Sequence, residues 1–191
     1  MKKHIILFVL FTVCTTLFAQ DFEKVDPSPM DATYYPPKAA KRFFESTPEK
    51  IAALAPKIKV LYSRPQKKGR EIFGNLVPYN KLWRAGANEI PELILNVPAE
   101  IGGKKLEPGN YSFAILPTKD TWTLYINTAT DMWGVYTYDK SKNLCEVKAN
   151  TNTTSNEIEA FSIAMYKKSE QLIHLKMGWD NTVVEFPITL M

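Results

Sequence analysis

Beyond Pro56 apolar and polar residues alternate, beginning with Ile58-Lys59-Val60-Leu61-Tyr62. The pattern recurs over 92–97, 110–116, 121–127, 134–138, 144–149, 158–166, 171–177 and 182–190. Short runs of period two, bounded by turn formers, predict half-buried strands, because successive side chains of a strand point to opposite faces. Nine such runs with no long helical pattern between them predict an all-β fold. An antiparallel β-sandwich of jelly-roll-like type is the expected architecture. Gly102-Gly103, Pro108-Gly109-Asn110 and Trp179-Asp180-Asn181 are the expected turns, since glycine and asparagine accept positive φ. The polar stretch 149–157, Ala-Asn-Thr-Asn-Thr-Thr-Ser-Asn-Glu, is expected to be an exposed flexible loop.

Ahead of the strands, residues 20–56 form a proline-rich arm carrying Tyr34, Tyr35, Phe43 and Phe44. Within it, Thr47-Pro48-Glu49-Lys50 has the signature of an N-cap followed by proline in the first turn, and it predicts a short helix that Pro56 stops. Earlier still, Lys2 and Lys3 precede the apolar stretch Ile5 to Phe18, and Ala19 supplies a small residue. That order reads as a secretory signal over 1–19, cut after Ala19. A lipid anchor on Cys14 is the competing reading of the same stretch. The stretch is shorter than the roughly 20 apolar residues a spanning helix needs, and no later segment predicts a transmembrane helix. The expected product is an exported, periplasmic or extracellular chain, its β domain occupying 57–191.

Composition narrows the chemistry. The 191 residues are 45% hydrophobic and 23% charged, which is globular rather than disordered. Lys2 and Lys3 account for two of the 24 basic residues, leaving 22 against 20 acidic ones, and so small a surplus argues against nucleic-acid binding. Past the signal, Cys145 and His174 are the sole cysteine and histidine, so neither an internal disulfide nor a Cys/His zinc site can form. Alternation places His174 on the solvent side of its strand, and no Gly-x-Ser-x-Gly elbow offers it a nucleophile. Cys145 sits mid-strand and is expected to be inert. Nucleotide fingerprints and spaced calcium ligands are lacking, so no metal or cofactor is expected.

The densest group of unusual residues is Tyr62-Ser63-Arg64-Pro65, Lys68-Gly69-Arg70-Glu71-Ile72-Phe73-Gly74, Leu76-Val77-Pro78-Tyr79 and Trp83-Arg84-Ala85-Gly86-Ala87-Asn88-Glu89. With Ser28-Pro29-Met30-Asp31, Ile115-Leu116-Pro117 and Trp133-Gly134-Val135-Tyr136, these motifs resemble domain of unknown function 2911, a family of secreted bacterial proteins. The resemblance spans nearly the whole chain beyond the signal. It implies an exported β-rich domain and carries no activity with it.

One segment holds the candidate chemistry. Trp83 to Glu89 sets a fixed cation, an amide and a carboxylate around a glycine where the alternation lapses. Arg84 can offer a planar fork to a carboxylate, phosphate or vicinal hydroxyls, Asn88 and Glu89 the donors and acceptors a sugar needs, and Trp83 a flat platform. Arg64, directly after a strand, is expected to point the same way. The competing structural reading has Trp83 in the core, Arg84 and Glu89 paired with each other or with the arm, and Gly86 in a tight turn. Lys67, Lys68 and Arg70, with Arg64, read as a solvated basic loop. The function expected from these residues is non-catalytic binding of a glycan or small polar ligand through Arg64, Trp83, Arg84, Asn88 and Glu89. Two alternatives stand beside it: a hydrolase using two of Asp31, Glu89, Glu92 and Asp131, and a structural or partner-binding envelope domain presenting an apolar patch.

Overall fold

The computed structural model describes residues 21–191; the signal-like start, its cleavage point and Cys14 lie outside the described residues. Nine antiparallel strands follow one another: β1 (Met30–Tyr35), β2 (Ile58–Ser63), β3 (Glu92–Leu95), β4 (Ala99–Ile101), β5 (Lys104–Leu106), β6 (Gly109–Pro117), β7 (Thr121–Asn127), β8 (Asn143–Lys167) and β9 (Leu172–Leu190). The all-β expectation holds. Their order across the sheet is β1-β2-β3-β6-β7-β8-β9-β4-β5, a meander from which only the β4–β5 hairpin departs to pair with β9. The facing layers of a sandwich are therefore two parts of one continuous sheet, and the meander replaces the jelly-roll exchange of strands.

The long strands make this possible. β8 pairs with β7 from Asn143 to Asn150 and with β9 from Thr151 onward, so it belongs to both layers. Just past β2 the chain docks on β8, with Phe161 N–H donating to Pro65 O at 2.9 Å and Lys67 N–H to Glu159 O at 2.7 Å. The Tyr62 hydroxyl accepts from Ile163 N–H at 3.0 Å. Between the layers Trp83, Trp122, Phe161 and Trp179 are buried, and Phe73 packs edge-on to Trp83 with ring centres 5.9 Å apart. Edge-to-face pairs of this kind add about 0.5–1.5 kcal/mol each beyond the area they bury.

Three sequence expectations are corrected here. The stretch 149–157 lies within strand β8: Ala149 and Asn150 pair with β7 and Thr151 to Thr153 with Val184 to Thr182, so backbone pairing rather than apolar side chains makes it strand. Trp179-Asp180-Asn181 lies inside β9: Asp180 takes φ of 54° where the β8–β9 register slips on either side of its pairing with Ile158, and the irregularity is accommodated without reversing the chain. The expected strand over 134–138 is irregular, with residues 134–137 in turns entered through Gly134 at φ 66°.

The arm is only partly an arm. Its Met30–Tyr35 segment is β1, paired with β2 along its whole length. The predicted helix is α1 (Pro48–Ala53), and the Thr47 hydroxyl accepts from Lys50 N–H at 3.3 Å as an N-cap should. Among the described residues no helix is long and apolar enough to cross a membrane.

Candidate functional site

The segment from Lys81 to Ile90 is laid against the sheet by backbone contacts before any side chain acts. Trp83 exchanges hydrogen bonds with Ile115 of β6, N–H to O at 2.7 and 2.8 Å, which aims its indole into the core. Three of the next five residues have positive φ: Ala85 at 52°, Gly86 at 147° and Asn88 at 58°. Gly86 is obligatory in this turn, since a Cβ there would stand 2.9 Å from Ser63 O. Ala85 in the left-handed region is a local strain of the kind concentrated at functional sites, and full burial holds it.

The turn reverses the chain so that Arg84 and Asn88 meet. Arg84 Nη1 donates to Asn88 O at 2.9 Å, and Gly134 N–H donates to the same carbonyl at 2.8 Å. Arg84 thus lies against the Asp131–Tyr138 turns, its Cζ 5.8 Å from the centre of the Tyr136 ring. Tyr136 and Trp133 are both exposed on that segment.

These residues border a cavity of about 310 Å³ lined by Ser28, Arg70, Trp83, Arg84, Asn88 and Trp179, together with apolar walls. None of its lining residues is an acid. Among the described residues neither Arg70 nor Arg84 forms a salt bridge. Arg70 instead donates to the carbonyls of Lys67 and Gln66. Both guanidiniums are held in place by neutral oxygens and keep their full charge for a ligand.

Of the five residues singled out from sequence, Trp83, Arg84 and Asn88 meet at this cavity. Arg64 and Glu89 do not line it. Arg64 Nη1 pairs with Asp31 at 2.9 Å, while its Nε and Nη2 reach Phe161 O and Ser162 Oγ, so it clamps β1 to β8. Glu89 bridges to Trp133 and lines a separate cavity of about 180 Å³ with Glu92 and Asp131. The structural reading of the segment is half realised: Trp83 is buried and Gly86 makes the turn, but no Arg84–Glu89 ion pair forms.

Sequence reasoning missed Arg70, Trp179, Trp133 and Tyr136. Arg70 was indistinguishable from its basic neighbours, yet the neighbours differ in partner. Lys67 binds Asp180 at 2.8 Å and Glu157 at 2.5 Å, and these two carboxylates hold its ammonium above the ordinary lysine range. Trp133-Gly134-Val135-Tyr136, two large aromatics around a glycine, is the signal that could have drawn attention to the segment that holds Asn88 and Arg84 from behind.

Elsewhere, His174 Nδ1 lies 2.9 Å from Glu185 Oε2, which also accepts from the Tyr166 hydroxyl. Burial raises the Glu185 carboxyl, but the hydrogen bonds from Tyr166 and His174 outweigh it and leave the carboxyl below its ordinary value. The Cys145 thiol is half-buried and desolvation pushes it upward, so it carries little thiolate. Among the described residues no group of three His, Cys, Asp or Glu is placed to hold a metal ion.

Fold and site together define an antiparallel β domain with a cationic, acid-free cavity beside its strained turn. A family model described as a protein of unknown function (DUF2911) matches residues 46–188, and the chain belongs to that family. No curated protein and no solved structure matches it.

Proposed function

We propose that this domain is an exported, non-catalytic binding module for a glycan or other small polar ligand, held in the cavity beside Arg84. The observation that carries the reading is the state of Arg84: fixed in orientation by Asn88 O, lacking an acid partner among the described residues, and facing open space. Such a guanidinium is a preorganised donor, and a ligand that uses it does not first have to break an ion pair. Asn88 and Ser28 add uncharged hydrogen-bonding groups at the same cavity, and Trp83 and Trp179 give it an aromatic floor. Export is supported by the basic start and apolar stretch preceding Ala19.

The test is a thermal-shift screen of residues 20–191 against neutral sugars, acidic sugars and small acidic metabolites. A ligand at about one hundred times its Kd adds about 2.7 kcal/mol to the folded state, enough to raise Tm by several degrees. The expected result is a saturable rise with one class, lost in Arg84→Ala after correction for that variant's own Tm. A rise that survives Arg84→Ala, or no rise with any class, would overturn the reading.

A second reading, a carboxylate-based hydrolase, draws on the cavity where Glu89, Glu92 and Asp131 converge. Paired carboxylates are what glycoside hydrolysis requires. Turnover of an aryl glycoside that Glu89→Gln abolishes would establish it; binding without turnover favours the module.

A further inference from the structure

The Arg84 cavity does not end at Arg70. A second cavity of about 360 Å³ is lined by Pro27, Ser28, Gln66, Lys68 and Arg70, and so shares Ser28 and Arg70 with the first. The two are adjoining compartments of one groove. Lys68, Arg70 and Arg84 line it in turn, and no acid lines either compartment.

The charges along this groove are sorted. On the stretch from Arg64 to Arg70, the cations that leave the groove are neutralised, Arg64 by Asp31 and Lys67 by Glu157 and Asp180. The cations that line it, Lys68 and Arg70, have no salt bridge among the described residues. Glu159, the acid beside Lys68, spends one carboxylate oxygen on the Lys68 backbone N–H at 2.9 Å. A solvated basic loop has no reason to separate its charges in this way. A surface that receives negative charge does.

From this sorting, and resting on the reading of the Arg84 cavity as a ligand site, we infer that the groove takes an acidic oligosaccharide, with uronate carboxylates along Lys68, Arg70 and Arg84. Two compartments suit linked sugar units better than one compact anion. The uncharged groups of Ser28, Gln66 and Asn88 suit ring hydroxyls. Three free cations are too few for the several phosphate contacts on which a nucleic-acid binder depends.

The experiment is titration calorimetry of residues 20–191 with tetramers of galacturonate, mannuronate and glucuronate. Each is compared with its own monomer and methyl ester, and a single-stranded oligonucleotide and an oligoglutamate of equal charge serve as competing polyanions. At least one acidic tetramer is expected to bind, about tenfold more weakly as its ester or its monomer and about tenfold more weakly to Lys68→Gln/Arg70→Gln. Both substituted side chains are exposed, and an unchanged Tm of the double variant confirms that the fold is intact. Equal affinity for acid and ester overturns the acidic inference and leaves the Arg84 ligand site standing. Equal affinity for the oligonucleotide or the oligoglutamate overturns the assignment to a sugar. Absence of binding by every acidic tetramer overturns the inference outright, and the neutral-sugar arm of the thermal-shift screen then decides the parent reading separately.

Discussion

Arg84 lies over the ring of Tyr136, its guanidinium carbon 5.8 Å from the ring centre. The pairing orients the cation against an aromatic face while leaving its charge unneutralised, which an acid at the same place would not do. Because the Asn88 carbonyl ties Arg84 to the Gly134 amide as well, the turn after Trp83 and the loop after Asp131 behave as one unit. Substitutions in one segment should be felt in the other.

Gly134→Ala tests that coupling. Its Cβ would stand 3.1 Å from Arg84 Cζ and Nη1, at a φ of 66° that side chains disfavour. We expect a stability loss of about 1 kcal/mol from the backbone alone. Ligand binding should fall as it does in Arg84→Ala. Urea unfolding and the thermal-shift assay measure the two effects, and a variant that binds normally would show that the two segments are independent.

Trp83→Ala should be a core mutation first. The indole packs on Trp122, Phe161 and Trp179 with ring centres 5.1–6.1 Å away, and it donates to Gly86 O. A loss of about 3–5 kcal/mol is expected in urea unfolding. A loss below 1 kcal/mol would mean that the aromatic cluster repacks freely.

Arg64 and Arg84 should separate cleanly. Arg64→Ala removes the clamp to Asp31, Phe161 O and Ser162, and because the pair is more than a third exposed the expected cost is modest, about 1 kcal/mol. Its signature is faster amide exchange along Met30–Tyr35 with ligand binding retained. Arg84→Ala is expected to do the reverse.

Glu185 predicts an acid-side effect. Its carboxyl is lowered in the folded state, so its contribution to stability is complete above the unfolded value near about 4.3 and is lost as pH falls through the folded one. Tyr166 runs the other way: its hydrogen bond to Glu185 raises it, so its contribution is complete below the unfolded value near about 10 and is lost as pH rises through the folded one. Tm measured from pH 3 to 7 should fall less steeply on the acid side for Glu185→Gln than for the wild type. Parallel curves for the two proteins would remove Glu185 from the account.

Much of the fold was legible from residue order alone. Period two is a local property, and six of the nine strands lie where alternation predicted strand: β2, β3, β6, β7, β8 and β9. The N-cap at Thr47 was equally readable, because a hydroxyl three residues before an amide acts within a single turn. Alternation failed where the backbone rather than the side chains made the structure. Residues 149–157 have no apolar face, yet Ala149 and Asn150 pair with β7 and Thr151 to Thr153 with β9; β4 and β5 are too short to show a period.

The turn 83–89 stood out in the sequence by composition, and its residue types were enough to suggest binding. Which of its members act together was settled only by the folded chain. Arg64 and Arg70 are the same side chain six positions apart, yet one meets Asp31 from β1 and the other meets only neighbouring carbonyls at the edge of a cavity. Glu89, one residue from Asn88, lines a different cavity from it. A charge is neutralised by whatever lies within a few ångströms, and for Arg64 and Lys67 those partners are 33, 90 and 113 residues away. Local order therefore determined the strands and the candidate residue types, whereas long-range contact decided which cations were left free to bind.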